Sequence, residues 1–282
     1  MSKKILVTGA NGYIGRHVVR YACKAGYHVI ANDLVTDGID PRVEINNVPI
    51  FSQEKDLFRK LGSPDICIHM AWRNGFIHNS PTHMEDLSPN IAFFLKMASA
   101  GLTSFSAMGT MHEVGYWEGA INDGTPCNPL SQYGIAKNAM RQSILLFSKD
   151  LPCQVKWLRA YYITGDDARG SSIFAKLTKA ESDGQKTFPF TSGKNRYDFI
   201  DVDDLARLIV LSSVQNKING IINVCSGKPM TLAERVEQFI RENEYHIRLE
   251  YGAFPDRPYD SPGIWGDTEK LDEILKEYNA LE

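Results

Sequence analysis

A tyrosine and a lysine four residues apart, Tyr133 and Lys137, are the pair in this sequence best suited to proton transfer. Their segment, residues 131–149, has a helical pattern, and residues four apart on a helix share one face. An ammonium group beside a phenol favours the phenolate and lowers the pKa of the tyrosine. Such a tyrosine can exchange a proton with a carbonyl or alcohol oxygen near neutral pH. The pair predicts acid–base chemistry at a substrate oxygen; the alternative is an ordinary surface pair.

A glycine-rich turn near the N-terminus predicts a site for phosphate groups. Gly9, Gly12 and Gly15 follow a strand-like run and open a helical one. The first glycine allows a tight turn, the second lets the backbone approach a pyrophosphate, and the third lets the helix pack closely on the strand. The N–H groups and the positive dipole end of the helix then face the phosphates. A glycine turn without a ligand is the alternative, and the strand–turn–helix context argues against it.

An acidic residue ends the second predicted strand, where a dinucleotide would place its adenosine ribose. Asp33 is suited to accept hydrogen bonds from the ribose hydroxyls, and it would repel a 2′-phosphate. This favours NAD over NADP. Two readings stay open: Arg16 and Arg42 are cations in the same region that would blunt the discrimination, and Asp33 could simply begin a turn.

Short β-rich runs alternate with helical patterns around these residues. Strands are predicted at 5–8, 28–32, 66–70, 103–106 and 154–160, and helices at 13–24, 89–99 and 131–149. This alternation is typical of βαβ units and predicts an α/β fold, a doubly wound parallel-sheet Rossmann arrangement. Residues 1–164 would form the NAD(P)-binding domain, with 203–225 rejoining it. Residues 165–202 and 226–282 would form a smaller, interleaved C-terminal lobe for the substrate.

Composition narrows the class of partner. The 282 residues are 43% hydrophobic and 23% charged, with a formal net charge of −3 and no basic stripe, which argues against nucleic acid or a membrane surface as a partner. The five cysteines are scattered and include no C-x-x-C pair, as expected for reduced thiols. The N-terminal apolar run is too short for a signal peptide. We therefore expect a cytoplasmic protein, and the histidines lack the spacing of zinc sites.

Taken together, the motifs resemble those of the extended short-chain dehydrogenase/reductase family, the NAD-dependent epimerases, dehydratases and reductases of sugar nucleotides. The resemblance runs along nearly the whole chain. It rests on the glycine turn, the Tyr133/Lys137 pair, residues 68–71 at a strand end, Asn90, residues 128–131, residues 197–204, and the pair Arg257 and Asp260. It implies NAD(P) as the cofactor and a nucleoside-diphosphate sugar as the substrate.

The resemblance also implies roles for single residues. Thr110 is the best match to the third catalytic residue, a hydroxyl that binds the substrate oxygen, and Ser106 is the fallback. Cofactor contacts are implied for Gly9, Asn11, Gly12, Tyr13, Ile14, Gly15, Asp33, Met70, Ala71, Trp72, Tyr133, Lys137 and Tyr161. Substrate contacts are implied for Arg196, Arg257 and Asp260. By position, Arg73 after the 66–70 strand and His112 after Thr110 are further candidates for substrate contact, and an ordinary surface role is the alternative for both.

The residues after Thr110 separate the reactions of this family. Dehydratases carry an Asp-Glu pair there, and this chain has Met111, His112 and Glu113. Elimination of water is therefore disfavoured, and Glu113 is interpreted as a loop carboxylate. We expect NAD(P)H-dependent reduction of the 4-keto group of a nucleoside-diphosphate 4-keto-6-deoxyhexose. A 4-epimerase with tightly bound NAD is the nearest alternative, and a non-enzymatic NAD(P)-binding sensor is the alternative from another class.

A homodimer is the expected assembly. Members of the family often pair through long helices, including the one that carries the Tyr/Lys pair, which here offers Ile144, Leu145 and Phe147 as apolar residues. Simple burial of these residues against the sheet is the alternative. Light scattering should show a dimer at micromolar concentration, and a monomer would contradict this prediction.

Overall fold

Strands and helices alternate through residues 3–52, 54–165, 172–256 and 261–279, which are the residues that the computed structural model describes. The strands are β1 (Lys4–Thr8), β2 (His28–Asn32), β3 (Glu44–Asn46), β4 (Ile66–His69), β5 (Ser104–Thr110), β6 (Gly119–Ile121), β7 (Gln154–Ala160), β8 (Tyr162–Thr164), β9 (Thr187–Pro189), β10 (Arg196–Tyr197), β11 (Phe199–Asp201), β12 (Gly220–Val224), β13 (Met230–Thr231), β14 (Arg248–Glu250) and β15 (Gly263–Gly266). The helices are α1 (Gly15–Lys24), α2 (Leu57–Lys60), α3 (Thr82–Ser99), α4 (Gln132–Phe147), α5 (Ile173–Ser182), α6 (Val202–Val214), α7 (Leu232–Glu242) and α8 (Glu269–Asn279). Two 3-10 turns, Met111–Glu113 and Ser148–Asp150, follow β5 and α4.

A seven-stranded parallel sheet carries the site. Its strand order is β12-β7-β5-β4-β1-β2-β3, and every pairing is parallel. Apolar clusters cover both faces: α1 and α6 pack on one side through residues such as Val18 and Leu205, and α3 and α4 on the other through Phe94 and Met140. The predicted doubly wound Rossmann fold is confirmed. All seven carboxyl ends meet at one edge, where folds of this type bind ligands.

The second half of the chain builds smaller sheets beside that edge. A four-stranded sheet has the order β13-β10-β15-β6, and two-stranded sheets pair β11 with β8 and β14 with β9. Helices α5 and α7 bury Phe174, Val236 and Phe239 in an apolar cluster of their own. Strand β12 pairs with β7 in the main sheet. The division into two lobes stays a prediction.

Two elements are longer than the sequence predicts. Strand β5 continues past residue 106 through Gly109 to Thr110, because Gly109 gives space to Trp157: a Cβ there would overlap the indole nitrogen. Helix α3 begins at Thr82 rather than at Pro89. Proline commonly marks the first turn of a helix, but here two turns precede it. The sequence pattern placed the strand end at 106 and the helix start at 89, and both elements extend further in the structure.

Helix α4 divides the apolar residues named for a dimer. Ile144 is fully buried in the core and Leu145 packs against it partly buried, whereas Phe147 is exposed. The homodimer stays a prediction. In the described part of the chain, we find no helix with the length and apolar character needed to cross a bilayer.

The glycine turn depends on close backbone approach. Gly9 has a φ of +67°, and a Cβ there would lie 2.7 Å from the amide nitrogen of Ala71. A Cβ on Gly15 would overlap the carbonyl oxygen of Gly9. The turn, the end of β4 and the start of α1 are therefore in backbone contact, which leaves no room for a side chain at these positions.

Replacing Gly15 with alanine should push α1 away from β1. We expect Gly15→Ala to lower the free energy of unfolding by about 1–3 kcal/mol, as overpacking does. Gly75→Ala is the matched control, because an added Cβ there meets nothing within 4 Å; its effect should stay within about 0.5 kcal/mol. Urea denaturation of both variants measures the difference, and equal stabilities would contradict the tight approach.

Candidate active site

Asp33, the acidic residue that follows β2, faces the glycine turn. One carboxylate oxygen of Asp33 accepts a hydrogen bond from the backbone N–H of Asn11 at 3.0 Å, and the other accepts one from Val35 at 3.2 Å. Each oxygen keeps a lone pair for a ribose hydroxyl. The Asn11 side chain ties the turn to the next loop through the carbonyl oxygens of Val35 and Asp37. The turn, the start of α1 and Asp33 thus form a cradle that fits a dinucleotide.

The two cations that could blunt NAD selectivity are both engaged. Arg42 forms a bidentate pair with Asp40, with a shortest N–O distance of 2.6 Å, and this raises the pKa of the guanidinium further. Arg16 stands over the ring of Tyr13, 6.0 Å from its centroid. Tyr13 in turn donates to the carbonyl oxygen of Gly165 at 2.6 Å. The effect of Asp33 on a 2′-phosphate stays a prediction.

A buried histidine fixes the end of β4 beside the cradle. Burial lowers the pKa of His69 to about 4, so the ring is neutral. Its Nε2 donates to the Asn90 side-chain oxygen at 2.6 Å, and its Nδ1 accepts from the Thr8 hydroxyl at 2.8 Å. That hydroxyl accepts from the N–H groups of Met70 and Ala71. The predicted cofactor residues 70 and 71 are thus held against the glycine turn.

Tyr133, Lys137 and Thr110 meet at the carboxyl ends of the sheet. The Thr110 hydroxyl lies near the Tyr133 side chain and acts to lower the pKa of the phenol. The Lys137 ammonium lies 6.0 Å from the centre of the Tyr133 ring and 3.9 Å from that of Trp72, and it donates to the Met108 carbonyl oxygen at 2.8 Å. The fallback residue, Ser106, is fully buried inside β5. The geometry therefore favours Thr110 as the third member of the set.

The electrostatics of the pair differ from the sequence-based expectation. Burial and then the charge of Glu113 raise the pKa of Tyr133 above its ordinary value, and the neighbouring Thr110 hydroxyl opposes this. Burial lowers the pKa of Lys137 to about 7, with Glu113 acting the other way. The net direction for Tyr133 is a raised pKa, because desolvation dominates, and the effect of Lys137 on the phenol stays a prediction. At neutral pH Tyr133 is a neutral phenol, which suits a proton donor.

Aromatic rings surround the tyrosine. His78 stacks on it with an interplanar angle of 14° and a centroid distance of 5.6 Å, and His112 meets it edge-on at 6.2 Å. His83 packs against it at 5.3 Å and accepts a hydrogen bond from Trp72 Nε1. Burial lowers the pKa of His112 to about 4, and the charge of His78 adds to this. These rings limit the access of water to the Tyr133 side chain.

A cavity of about 780 Å³ opens beside this cluster. His78 and His112 form its inner wall, next to Tyr133. Its outer part is lined by aromatic and polar side chains of the second half of the chain, including Tyr162, Phe174, Lys176, Asn195 and Tyr197. A volume in this range suits a ligand of small-molecule size. The sequence-predicted substrate residue His112 therefore faces a ligand-sized space.

Glu113, interpreted from the sequence as a loop carboxylate, is fully buried. It accepts from the Thr110 backbone N–H at 2.7 Å and from Trp157 Nε1 at 2.8 Å, and its other oxygen lies 3.4 Å from both Arg141 and Arg159. Thr110 and Glu113 form a capping box around the 3-10 turn. The Thr-x-x-Glu spacing is the signal that could have identified it.

Other predicted residues lie elsewhere or are paired. Arg73 forms a bidentate ion pair with Asp86, and it does not line the cavity. Arg196 is exposed on β10 and donates to the Pro229 carbonyl oxygen. Tyr161 is buried and donates to the Asn223 side chain at 3.1 Å. Arg257 and Asp260 fall outside the described residues. Among those that the structure describes, no group of three or more acidic, cysteine or histidine side chains is placed to hold a metal ion.

Comparison with known proteins gives consistent matches. The sequence model described as "NAD dependent epimerase/dehydratase family" matches residues 5–225. A dTDP-6-deoxy-L-talose 4-dehydrogenase (NAD(+)) of Aggregatibacter actinomycetemcomitans is 43% identical, over 93% of this chain and 98% of its own. A putative UDP-glucose 4-epimerase of Methanocaldococcus jannaschii is 29% identical, over 96% and 92%. The structure of a UDP-N-acetylglucosamine 4-epimerase from Methanobrevibacter ruminantium has a TM-score of 0.83 at 21% identity, over 97% of this chain and 92% of that one.

The position of Asp33 predicts the cofactor preference. NAD(H) should bind more tightly than NADP(H), and Asp33→Ala should narrow the gap by removing the charge that a 2′-phosphate would meet. Asp37→Ala removes an exposed acid from the same loop and should leave the preference unchanged. Titration calorimetry with both cofactors measures it. Equal or stronger binding of NADP(H) to the parent protein would refute the NAD assignment.

Proposed function

The chain belongs to the NAD-dependent epimerase/dehydratase family, and we propose that it reduces the 4-keto group of a nucleoside-diphosphate 4-keto-6-deoxyhexose, with NADH as the hydride source. The observation that carries the proposal is the meeting of Tyr133, Thr110 and Lys137 at the carboxyl ends of the sheet, beside the His78 and His112 rings that line the cavity. A neutral phenol next to a second hydroxyl suits protonation of a carbonyl oxygen that gains negative charge.

Each residue has a distinct part in this reaction. Thr110 would hold the keto oxygen, and Tyr133 would donate its proton to that oxygen as the alcohol forms. Lys137 would bind the nicotinamide ribose and contribute positive charge beside the phenol. The glycine turn and Asp33 would hold the dinucleotide. His112 would contact the sugar from the cavity wall.

The surroundings of Glu113 argue against a dehydratase. Elimination of water needs a carboxylate that reaches the sugar, but Glu113 is fully buried and both its oxygens face protein groups. Met111, where family dehydratases carry an acid, offers no proton. Reduction or oxidation at one carbon needs no such base and remains compatible with the residues present.

The relative that is 43% identical guides the choice of substrate. Its name specifies a dTDP-linked 6-deoxyhexose and oxidation at carbon 4 with NAD. The reverse of that oxidation is the reduction proposed here, so a dTDP-linked 4-keto-6-deoxyhexose is the first substrate to test. The sensor alternative is set aside, because the relatives are enzymes and this chain keeps the Tyr133/Lys137 pair.

A 4-epimerase is the second candidate, favoured by the epimerases among the similar proteins. The same three residues would serve it, since an epimerase removes a hydride and returns it to the other face. Stoichiometry separates the two reactions. A reductase consumes one NADH for each keto sugar, whereas an epimerase interconverts two sugars with no net change in NADH.

The catalytic assignment predicts graded losses. Tyr133→Phe removes only the hydroxyl, so folding and cofactor binding should survive while hydride transfer slows by about 10²–10⁴-fold. Lys137→Met should lose both rate and nicotinamide affinity. Thr110→Val keeps the shape and removes a donor, at a cost of up to about 2.7–4 kcal/mol. Single-turnover loss of NADH absorbance with a dTDP-linked 4-keto-6-deoxyhexose measures each step.

Two matched variants control this experiment. Tyr27→Phe removes a phenolic hydroxyl in the turn before β2, at the opposite edge of the sheet, and should keep the parent rate. Ser106→Ala should be nearly silent if Thr110 is the third member. A Tyr133→Phe protein that reduces keto sugars at the parent rate would refute the catalytic assignment. A crippled Ser106→Ala beside a silent Thr110→Val would transfer that role to Ser106.

A further inference from the structure

We propose that Glu113 is a positioning residue for this reaction: from inside the protein, its carboxylate fixes the turn that carries Thr110 and holds a negative charge close to Tyr133 and Lys137. The catalytic meaning of this role rests on the proposed function. Glu113 does not line the cavity, so it acts through other residues and not on the substrate.

The surroundings of the carboxylate are built to hold it. Trp157 reaches it across β5, which is possible because Gly109 has no side chain in the path of the indole. Arg159 from β7 is fully buried, and Arg141 from α4 is 13% exposed. Burial of a carboxylate is costly unless it is paired and hydrogen-bonded. A site with two guanidinium partners and two N–H donors meets that condition.

This arrangement sets the position of the Thr110 hydroxyl. One oxygen of Glu113 accepts from the Thr110 N–H at 2.7 Å, and the Thr110 hydroxyl accepts from the N–H of His112. These two hydrogen bonds hold the 3-10 turn at both ends. Thr110, the last residue of β5, is therefore fixed in one orientation near Tyr133. Gly134 allows α4 to approach the same turn, since a Cβ there would overlap the His112 carbonyl oxygen.

The charge acts on both members of the catalytic pair. A nearby negative charge disfavours the phenolate of Tyr133 and favours the ammonium of Lys137, so Glu113 raises the pKa of each. Burial works in the same direction for Tyr133 and in the opposite direction for Lys137. Without Glu113, the protonated form of Lys137 would be lost at lower pH.

Other titratable or charged groups also surround the pair. The nearby elements contribute His69 from β4, His78 before α3, His83 from α3, His112 from the 3-10 turn, Arg141 from α4 and Arg159 from β7. The histidines are neutral or positive and the arginines are positive. Each of these groups opposes the protonation of Lys137 or leaves it unchanged, whereas Glu113 supports it.

Titration of Lys137 tests the charge directly. In protein labelled with ¹³C at the lysine ε carbon, the NMR signal of Lys137 is assigned by its loss in Lys137→Met. The midpoint of its titration with pH should lie at about 7. Glu113→Gln keeps the acceptor for Thr110 and removes the charge, so the midpoint should fall. A merely structural role predicts the opposite, because a loosened site admits water and moves the pKa up towards its ordinary value of 10.5. An unchanged or higher midpoint would overturn the proposal.

A second variant keeps the proposal testable if the Glu113→Gln protein does not fold. Arg141→Gln removes a positive charge and keeps Glu113, so the midpoint of Lys137 should rise. Hydrogen exchange of the Thr110 amide shows whether the turn has stayed intact. A rise with the amide still protected supports the electrostatic role, and no rise, or a rise with protection lost, refutes it. Glu85→Gln, an exposed acid on α3, should leave the midpoint where it is.

Turnover adds a separate measurement. The basic limb of the pH profile of kcat/KM for keto-sugar reduction should move to lower pH in Glu113→Gln, in step with the Lys137 midpoint. If the parent protein reduces no keto sugar at any pH, the proposed function fails, and the titration still decides whether Glu113 sets the charge state of Lys137. If turnover is present and the limb does not move with the midpoint, the positioning role fails alone.

Discussion

The ion cluster around Glu113 is the constraint on which the catalytic edge of the sheet depends. One buried carboxylate joins the end of β5 to α4 through Arg141 and to β7 through Arg159. Thr110 stands on the first of these elements, and Tyr133 and Lys137 stand on the second. Two cations share a single anion, so loss of the carboxylate would leave buried charge uncompensated, a strongly destabilising change. The geometry of the site and the stability of the edge are therefore coupled.

Desolvation shifts the pKa values of the two groups proposed for catalysis, Tyr133 and Lys137, in opposite directions. It disfavours the charged form of each, which means a neutral phenol for Tyr133 and an amine that loses its proton more easily for Lys137. The histidine rings that pack around Tyr133 contribute to this desolvated environment. A site of this kind favours proton donation by the tyrosine over proton removal, which agrees with reduction as the direction of the proposed chemistry.

The parts of the site that the sequence predicts are those encoded by local spacing. The glycine turn, Asp33 and the Tyr133/Lys137 pair each need only one strand–turn–helix unit or one helix face. The cluster around Glu113 draws on residues far apart in the chain, and neither Arg159 nor Trp157 carries a local signal of its partner. Gly109 shows why: nothing in its local sequence predicts that in the structure it leaves space for the indole of Trp157, which lies on another strand. The Rossmann fold was predictable because short β-rich runs alternate with helical patterns along the first half of the chain.

The late arrival of β12 has a consequence for synthesis on the ribosome. Strand β7 occupies the end of the sheet until β12 pairs with it, and residues 161–219 must be made in between. During that interval the outer edge of β7 has unpaired backbone N–H and C=O groups, and such an edge is a template for pairing with another chain. Nascent chains on neighbouring ribosomes would be able to pair with one another through the uncovered edge of β7. A chaperone bound to that intermediate would cover the edge until β12 is made and pairs with β7.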